Sequence, residues 1–164
     1  MPQGFLLVDA NVLIDYHQSD ISILSLVSRH IGPVYIVSSV LEEVDLLDES
    51  ACERLGFRIV EPTLAQAGEA HSLKGRPSFQ DSLCLVVCRD QSWTCVTNDK
   101  ALRRSCAAEE IPTLWGLELM LKLSKGGHLS VEDAEQVAEQ IHRSNPFFLN
   151  RKVLETFKSK LRRP

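Results

Sequence analysis

Five short apolar runs, each followed by a segment that reads as helix, constrain this chain more than any other feature. They span residues 5–8, 34–37, 58–60, 94–97 and 111–114. Runs of this length, rich in Val, Ile and Leu and bounded by turn residues, read as buried strands. Strands that alternate with helices return through crossovers rather than hairpins, which makes the sheet mostly parallel and covers both of its faces. The expected architecture is therefore α/β, with helices on either side of a mostly parallel central sheet.

The intervening segments carry helix signals. Apolar residues at Ile21, Leu24, Val27 and Ile31 predict a helix over 21–31, stopped by Gly32 and Pro33. Ser38 or Ser39 can cap a helix over 40–47, and Ser78 one over 79–89, after the loop Lys74-Gly75-Arg76-Pro77. Asn98 and Asp99 precede a helix over 100–108, and Gly126 and Gly127 end one over 115–125. Ser130 with Asp133 approximates a capping box for a helix to about Arg143, and Asn150 or Arg151 opens the last. These two helices follow no strand. They are expected as a helical appendage, residues 126–164, packed on the domain formed by residues 1–125.

Four acids stand where apolar runs give way to turns or helix starts: Asp9, Glu43, Asp81 and Asp99. A parallel α/β sheet gathers such positions outside the carboxyl ends of its strands. Each has an ordinary structural role open to it. Asp9 and Asp99 can be N-caps, and Asp81 can be a first-turn acid favoured by the helix dipole. Glu43 follows Val40 by three residues, so on a helix it lies near the apolar face, and Glu42 points to solvent. Converging carboxylates repel and call for compensation, most naturally by a hard divalent cation such as Mg²⁺ or Mn²⁺. That is the chemistry of metal-assisted phosphodiester hydrolysis: such ions lower the pKa of water and stabilise charge on the attacking and leaving oxygens.

The pattern resembles the PIN-domain nuclease family. The matching residues are VDANVLID with Asp9, VLEEV with Glu43, FQDSLCL with Asp81 and VTNDKAL with Asp99, in the family's order across about residues 5–120. The chain looks closest to the small VapC-like toxin ribonucleases, although they lack the helical segment that ends it. The resemblance implies a PIN-like three-layer α/β/α fold and a metal-dependent endoribonuclease. Asp9, Glu43, Asp81 and Asp99 would then hold one or two Mg²⁺ or Mn²⁺ ions and carry catalysis. Thr97 would steady a carboxylate or a metal-bound water, and Asn11 would support Asp9. It also implies an RNA substrate, with a cognate antitoxin protein and a homodimer as further partners. The alternatives are a housekeeping RNA-processing nuclease and a degenerate PIN-like module acting in binding or assembly.

Composition bounds these readings. The chain has 164 residues, 44% apolar and 24% charged, which suits one globular domain without a membrane span. The five cysteines form no CxxC pair and are expected as reduced, buried thiols in a cytoplasmic protein. The five histidines form no ligand pair. Nucleotide-binding GxGxxG and GxxxxGK[ST] motifs are absent, and the DxD of a haloacid-dehalogenase-like phosphatase is replaced by Asp9-Ala10-Asn11. Net charge is −4, but residues 151–164 carry +5, leaving −9 elsewhere. That basic tail could track a phosphate backbone or be a solvated helix end. Lys74 and Arg76 could bind substrate phosphate. Trp93, Trp115, Phe147 and Phe148 could stack on bases, but Trp93 and Trp115 adjoin strands and are expected in the core. Phe147 and Phe148 could anchor the last helix or form a dimer or partner contact.

Overall fold

A computed structural model describes residues 4–45, 47–73 and 78–164. Five parallel strands, β1 (Leu6–Val8), β2 (Val34–Val37), β3 (Arg58–Val60), β4 (Thr94–Val96) and β5 (Thr113–Leu114), lie in the order β3-β2-β1-β4-β5. The register is continuous, with Leu7 opposite both Tyr35 and Cys95, and Val96 opposite Leu114. All three residues of β1 are fully buried, as a central strand covered on both faces requires.

Among the described residues, nine α-helices flank the sheet: α1 (Ala10–Gln18), α2 (Ser22–His30), α3 (Glu49–Leu55), α4 (Leu64–Ser72), α5 (Phe79–Gln91), α6 (Lys100–Ala108), α7 (Gly116–Lys125), α8 (Val131–Ser144) and α9 (Arg151–Arg162). The expected α/β architecture, a mostly parallel sheet flanked by helices, is what the structure shows, and the described sheet is parallel throughout. The segment after β2 differs from expectation. It is a 3-10 helix, Ser38–Glu43, and Val44 is already extended, so the α-helix expected over 40–47 does not form through the described residues 40–45. Helix α3 went unforeseen because Cys52 is its one buried residue, leaving almost no apolar period to read. Its caps were the available signal: Asp48 accepts from the Ala51 N–H at 2.8 Å, and Gly56 closes the helix at φ +87°.

The last two helices are integral to the core. Ala134, Val137, Ala138 and Ile141 of α8, with Leu154, Phe157 and Leu161 of α9, are buried in the same apolar cluster as the strands. Helix α8 packs on α1 and α7, and α9 on α7 and α8. The basic run of α9 is partly committed there. Lys158 pairs with Glu139 and Arg162 with Glu135, both on α8, and Arg151 pairs with Glu155 within α9. No helix among the described residues is long and apolar enough to cross a membrane.

Strand order places the site. The chain runs outward from β1 through β2 to β3, then crosses to the other side of β1 to lay down β4 and β5. Connections diverge where β1 meets β4, and the crevice outside their carboxyl ends is where sheets of this kind bind ligands.

Candidate active site

Asp9 follows β1 directly and sits at that switch point. Its backbone N–H donates to the Val96 carbonyl of β4 at 3.1 Å, tying the two strand ends together. It is the N-cap of α1, with Oδ1 accepting from the Val12 N–H at 2.9 Å. The cap role uses only one oxygen. Oδ2 is buried and has no hydrogen-bond partner among the described residues. An unpaired carboxylate oxygen in a residue 1% exposed is costly, and such a group calls for a proton or a cation. Burial pushes its pKa up to about 7; the Thr97 hydroxyl and the Val12 N–H oppose the rise, and the charges of Asp81 and Asp99 add to it.

Asp99 is held from both sides. Its N–H donates to Thr97 Oγ1 at 3.0 Å, and its carboxylate caps α6 by accepting from the Leu102 N–H at 2.9 Å. Thr97 is fully buried and lies against both acids. Asn98, between them, does not cap α6. Its Oδ1 accepts from the Gly116 N–H at 2.9 Å, and the Gly116 carbonyl accepts from the Tyr16 hydroxyl at 2.7 Å. This locks the β4 and β5 termini to α1. A Cβ at Gly116 would lie 3.2–3.3 Å from the Asn98 amide and 3.4 Å from Val12, so glycine is what lets the turns close.

Asp81 lies in the first turn of α5, where Ser78 is the N-cap and its hydroxyl accepts from the Asp81 N–H at 3.2 Å. It is half-buried. Burial raises its pKa first, followed by the charges of Asp99 and Glu43, with the Ser78 hydroxyl opposing. Glu43 ends the 3-10 helix and is exposed, as is Glu42, so the expected contrast between a sheltered Glu43 and a solvent-facing Glu42 does not hold. The tighter 3-10 winding removes the α-helical face on which that contrast rested.

Asp9, Asp81 and Asp99 thus lie within electrostatic reach of one another, and Glu43 lies within reach of Asp81. They are not closed on a common point: among the described residues, no three His, Cys, Asp or Glu side chains are grouped tightly enough to enclose a metal ion. Asn11 is half-exposed and makes no side-chain hydrogen bond to Asp9 among the described residues. Lys74 and Arg76 lie outside the described residues. All five cysteines are free and buried, and burial raises the thiol pKa of Cys84, which also feels Asp9 and Asp81.

Three features around the site escaped the reading of the sequence. The Asn98–Gly116 bond joins residues 18 apart, and the Asn145 amide donates to Asp15 Oδ1 at 3.0 Å across 130 residues. No local signal marks either. The third is Trp115, expected in the core but 38% exposed beside the site, with Arg103 over its ring. Trp93 is buried as expected, stacked on Tyr35. Phe147 and Phe148 meet edge to face in the α8–α9 connection, with Phe147 84% exposed. No protein-family model matches this chain, and no curated protein matches its sequence. What fold and geometry define is therefore a class, a parallel α/β domain with carboxylates gathered at its switch point.

Proposed function

We propose that this protein is a divalent-metal-dependent nuclease that hydrolyses phosphodiester bonds of RNA, built on a PIN-like variant of the three-layer α/β/α fold. The observation that carries the reading is the buried, unpartnered Oδ2 of Asp9, set at the switch point with Asp81 and Asp99 close enough to raise its pKa. A donor set made of oxygens alone suits Mg²⁺ or Mn²⁺ over softer metals. Asp9, Asp81 and Asp99 would hold the cation, with Glu43 contributing from the rim. Once bound, it would supply Lewis-acid stabilisation of the phosphoryl oxygens and water acidified enough to attack near neutral pH.

The chain's own groups have separate tasks. Thr97 holds Asp99 through its N–H and biases Asp9 towards its charged, ligating form. The α1 and α6 caps fix one oxygen each of Asp9 and Asp99, which restricts rotation of both carboxylates. In the resembled family this chemistry serves toxin–antitoxin pairs. A toxin half or a housekeeping RNA-processing enzyme are both consistent with the site, and toxicity on expression relieved by a neighbouring small protein separates them.

The test is Mn²⁺ titration by calorimetry with RNA cleavage assayed alongside, on the wild type and on an Asp9→Asn/Asp99→Asn double variant. Binding and cleavage that both vanish in the variant support the proposal. A second reading, a degenerate module that binds without cleaving, is favoured by the open spacing of the carboxylates. Wild-type protein that binds no Mn²⁺ and leaves varied RNAs intact would put that reading first.

A further inference from the structure

The site described so far is acidic, and a phosphodiester substrate is a polyanion. Something beside the carboxylates must attract it. Arg103 lies in α6, four residues after Asp99, and its backbone N–H donates to the Asp99 carbonyl at 2.9 Å. Its side chain turns back to the strand end, where Nη1 donates to the Thr97 carbonyl at 3.2 Å. The guanidinium lies 3.7 Å from the centre of the Trp115 ring. No carboxylate among the described residues forms an ion pair with Arg103. Glu118 is near enough for its charge to act on Arg103 but does not pair with it, so the half-buried guanidinium retains N–H donors that suit a phosphate.

Trp115 completes the arrangement. It directly follows β5, whose Leu114 carbonyl accepts from the Thr97 N–H at 3.0 Å, so both aromatic and cation sit at the strand ends that carry the acids. Its own N–H donates to Glu118 Oε1 at 3.0 Å, fixing the start of α7. A large aromatic left 38% exposed there is a surface for an unstacked base. Bases inside a duplex already stack on one another and are not free to use it.

We infer that Arg103 and Trp115 form the substrate-strand subsite of the carboxylate site, the guanidinium holding a phosphate and the indole stacking a base of single-stranded RNA. This rests on the nuclease reading, and the tests below separate the two. In a Trp93→Phe background Trp115 is the remaining tryptophan, and its fluorescence is followed while a short single-stranded RNA is added in Ca²⁺. Quenching is expected, with a duplex of the same sequence giving little. By anisotropy of the labelled strand, Trp115→Leu weakens binding about tenfold or more, and Trp115→Phe, which keeps a ring, recovers most of it. Arg103→Lys, which keeps the charge but loses the planar fork, weakens binding several-fold. In cleavage with Mn²⁺, KM rises in parallel while kcat changes little.

A clamp that merely ties α6 to α7 would lower the melting temperature and leave RNA affinity and KM unchanged; that result overturns the inference. So does quenching by duplex equal to that by single strand, or no quenching at all. Wild-type protein that quenches on single-stranded RNA but cleaves none leaves the subsite standing and removes the nuclease reading.

Discussion

Asp9→Asn should make the metal-free protein more stable while abolishing the metal binding proposed for it. Burial, with one oxygen unpartnered, pushes the Asp9 carboxyl of the folded chain up to about 7 from its ordinary value of 3.8. A folded-state pKa above the unfolded one means a contribution to stability that is fully present below about 3.8 and lost as pH rises through about 7. At about 1.4 kcal/mol per pKa unit, ionising Asp9 costs the fold about 4 kcal/mol at pH 8 and under about 1 near pH 4. Asparagine is neutral and keeps the oxygen that caps α1 through the Val12 N–H, so it removes the cost and retains the cap. Relaxation around the ionised carboxylate reduces the gain, and about 2 kcal/mol at pH 8 is the least the argument requires. For a chain of this size that is a rise in melting temperature of roughly 4–8 °C.

The assay is thermal or urea unfolding of both proteins in EDTA from pH 4 to 8.5, repeated with Mn²⁺. In EDTA the two curves converge at low pH and separate as pH rises, with the variant above. Added Mn²⁺ stabilises the wild type by about 2.7 kcal/mol at a hundred times its Kd and leaves the variant unmoved. A variant less stable than wild type at pH 8 in EDTA would show that the buried Asp9 carboxylate carries no such penalty. So would a gap that does not change with pH, since it would show that the charge of Asp9 is already compensated.

Asp81→Asn should leave stability within about 1 kcal/mol while weakening Mn²⁺ binding at least about tenfold, because Asp81 is half-buried and its cap belongs to Ser78; calorimetry reads this. Asn145→Ala removes the donor that favours the charged form of Asp15, whose pKa burial raises to about 6. Asp15's contribution to stability is present below about 3.8 and lost as pH rises through about 6, so the variant should lose about 1–3 kcal/mol at pH 8 and clearly less at pH 4 by urea unfolding. Gly116→Ala pushes a methyl against Asn98 and Val12 and should cost about 1–3 kcal/mol, with a drop in kcat as the β4 end shifts. Phe157→Ala should cost about 3–5 kcal/mol in one cooperative transition, since α9 shares the main core; a separate early transition for the last two helices would contradict this.

Much of this fold was legible because its signals are local. Residues 34–37 and 58–60 are strands because β-branched and apolar side chains fill short runs between turn residues, and the parallel order follows from the helices between them. The caps at Ser78, Asp99, Ser130 and Asn150 were likewise visible, since a cap needs only a short polar side chain at a helix start. The site was legible only in part. Asp9 and Asp99 read as caps or as ligands from sequence, and in the structure they do cap. What distinguishes Asp9 is the isolation of its second oxygen, a three-dimensional property. The helix after β2 failed because a 3-10 and an α-helix start from the same serines and diverge over a few residues of winding. Trp115 failed for a related reason: adjacency to a strand suggests burial, but its exposure depends on where α6 places Arg103.

The charge layout bears on the order of events at such a site. The chain is acidic overall, and the cations of α9 that could have offset this are partly tied to Glu135 and Glu139 of α8. General attraction to phosphate is therefore weak. What remains is local, a half-buried Arg103 next to carboxylates that repel the same phosphate. Repulsion between Asp9, Asp81 and Asp99 already raises the cost of ionising Asp9 without a ligand, and an incoming phosphate raises it further. A divalent cation reverses the sign of that interaction for substrate and carboxylates together. If the proposed site binds both, these charges make cation and nucleic acid couple positively, and by linkage each would raise the affinity of the other by the same factor.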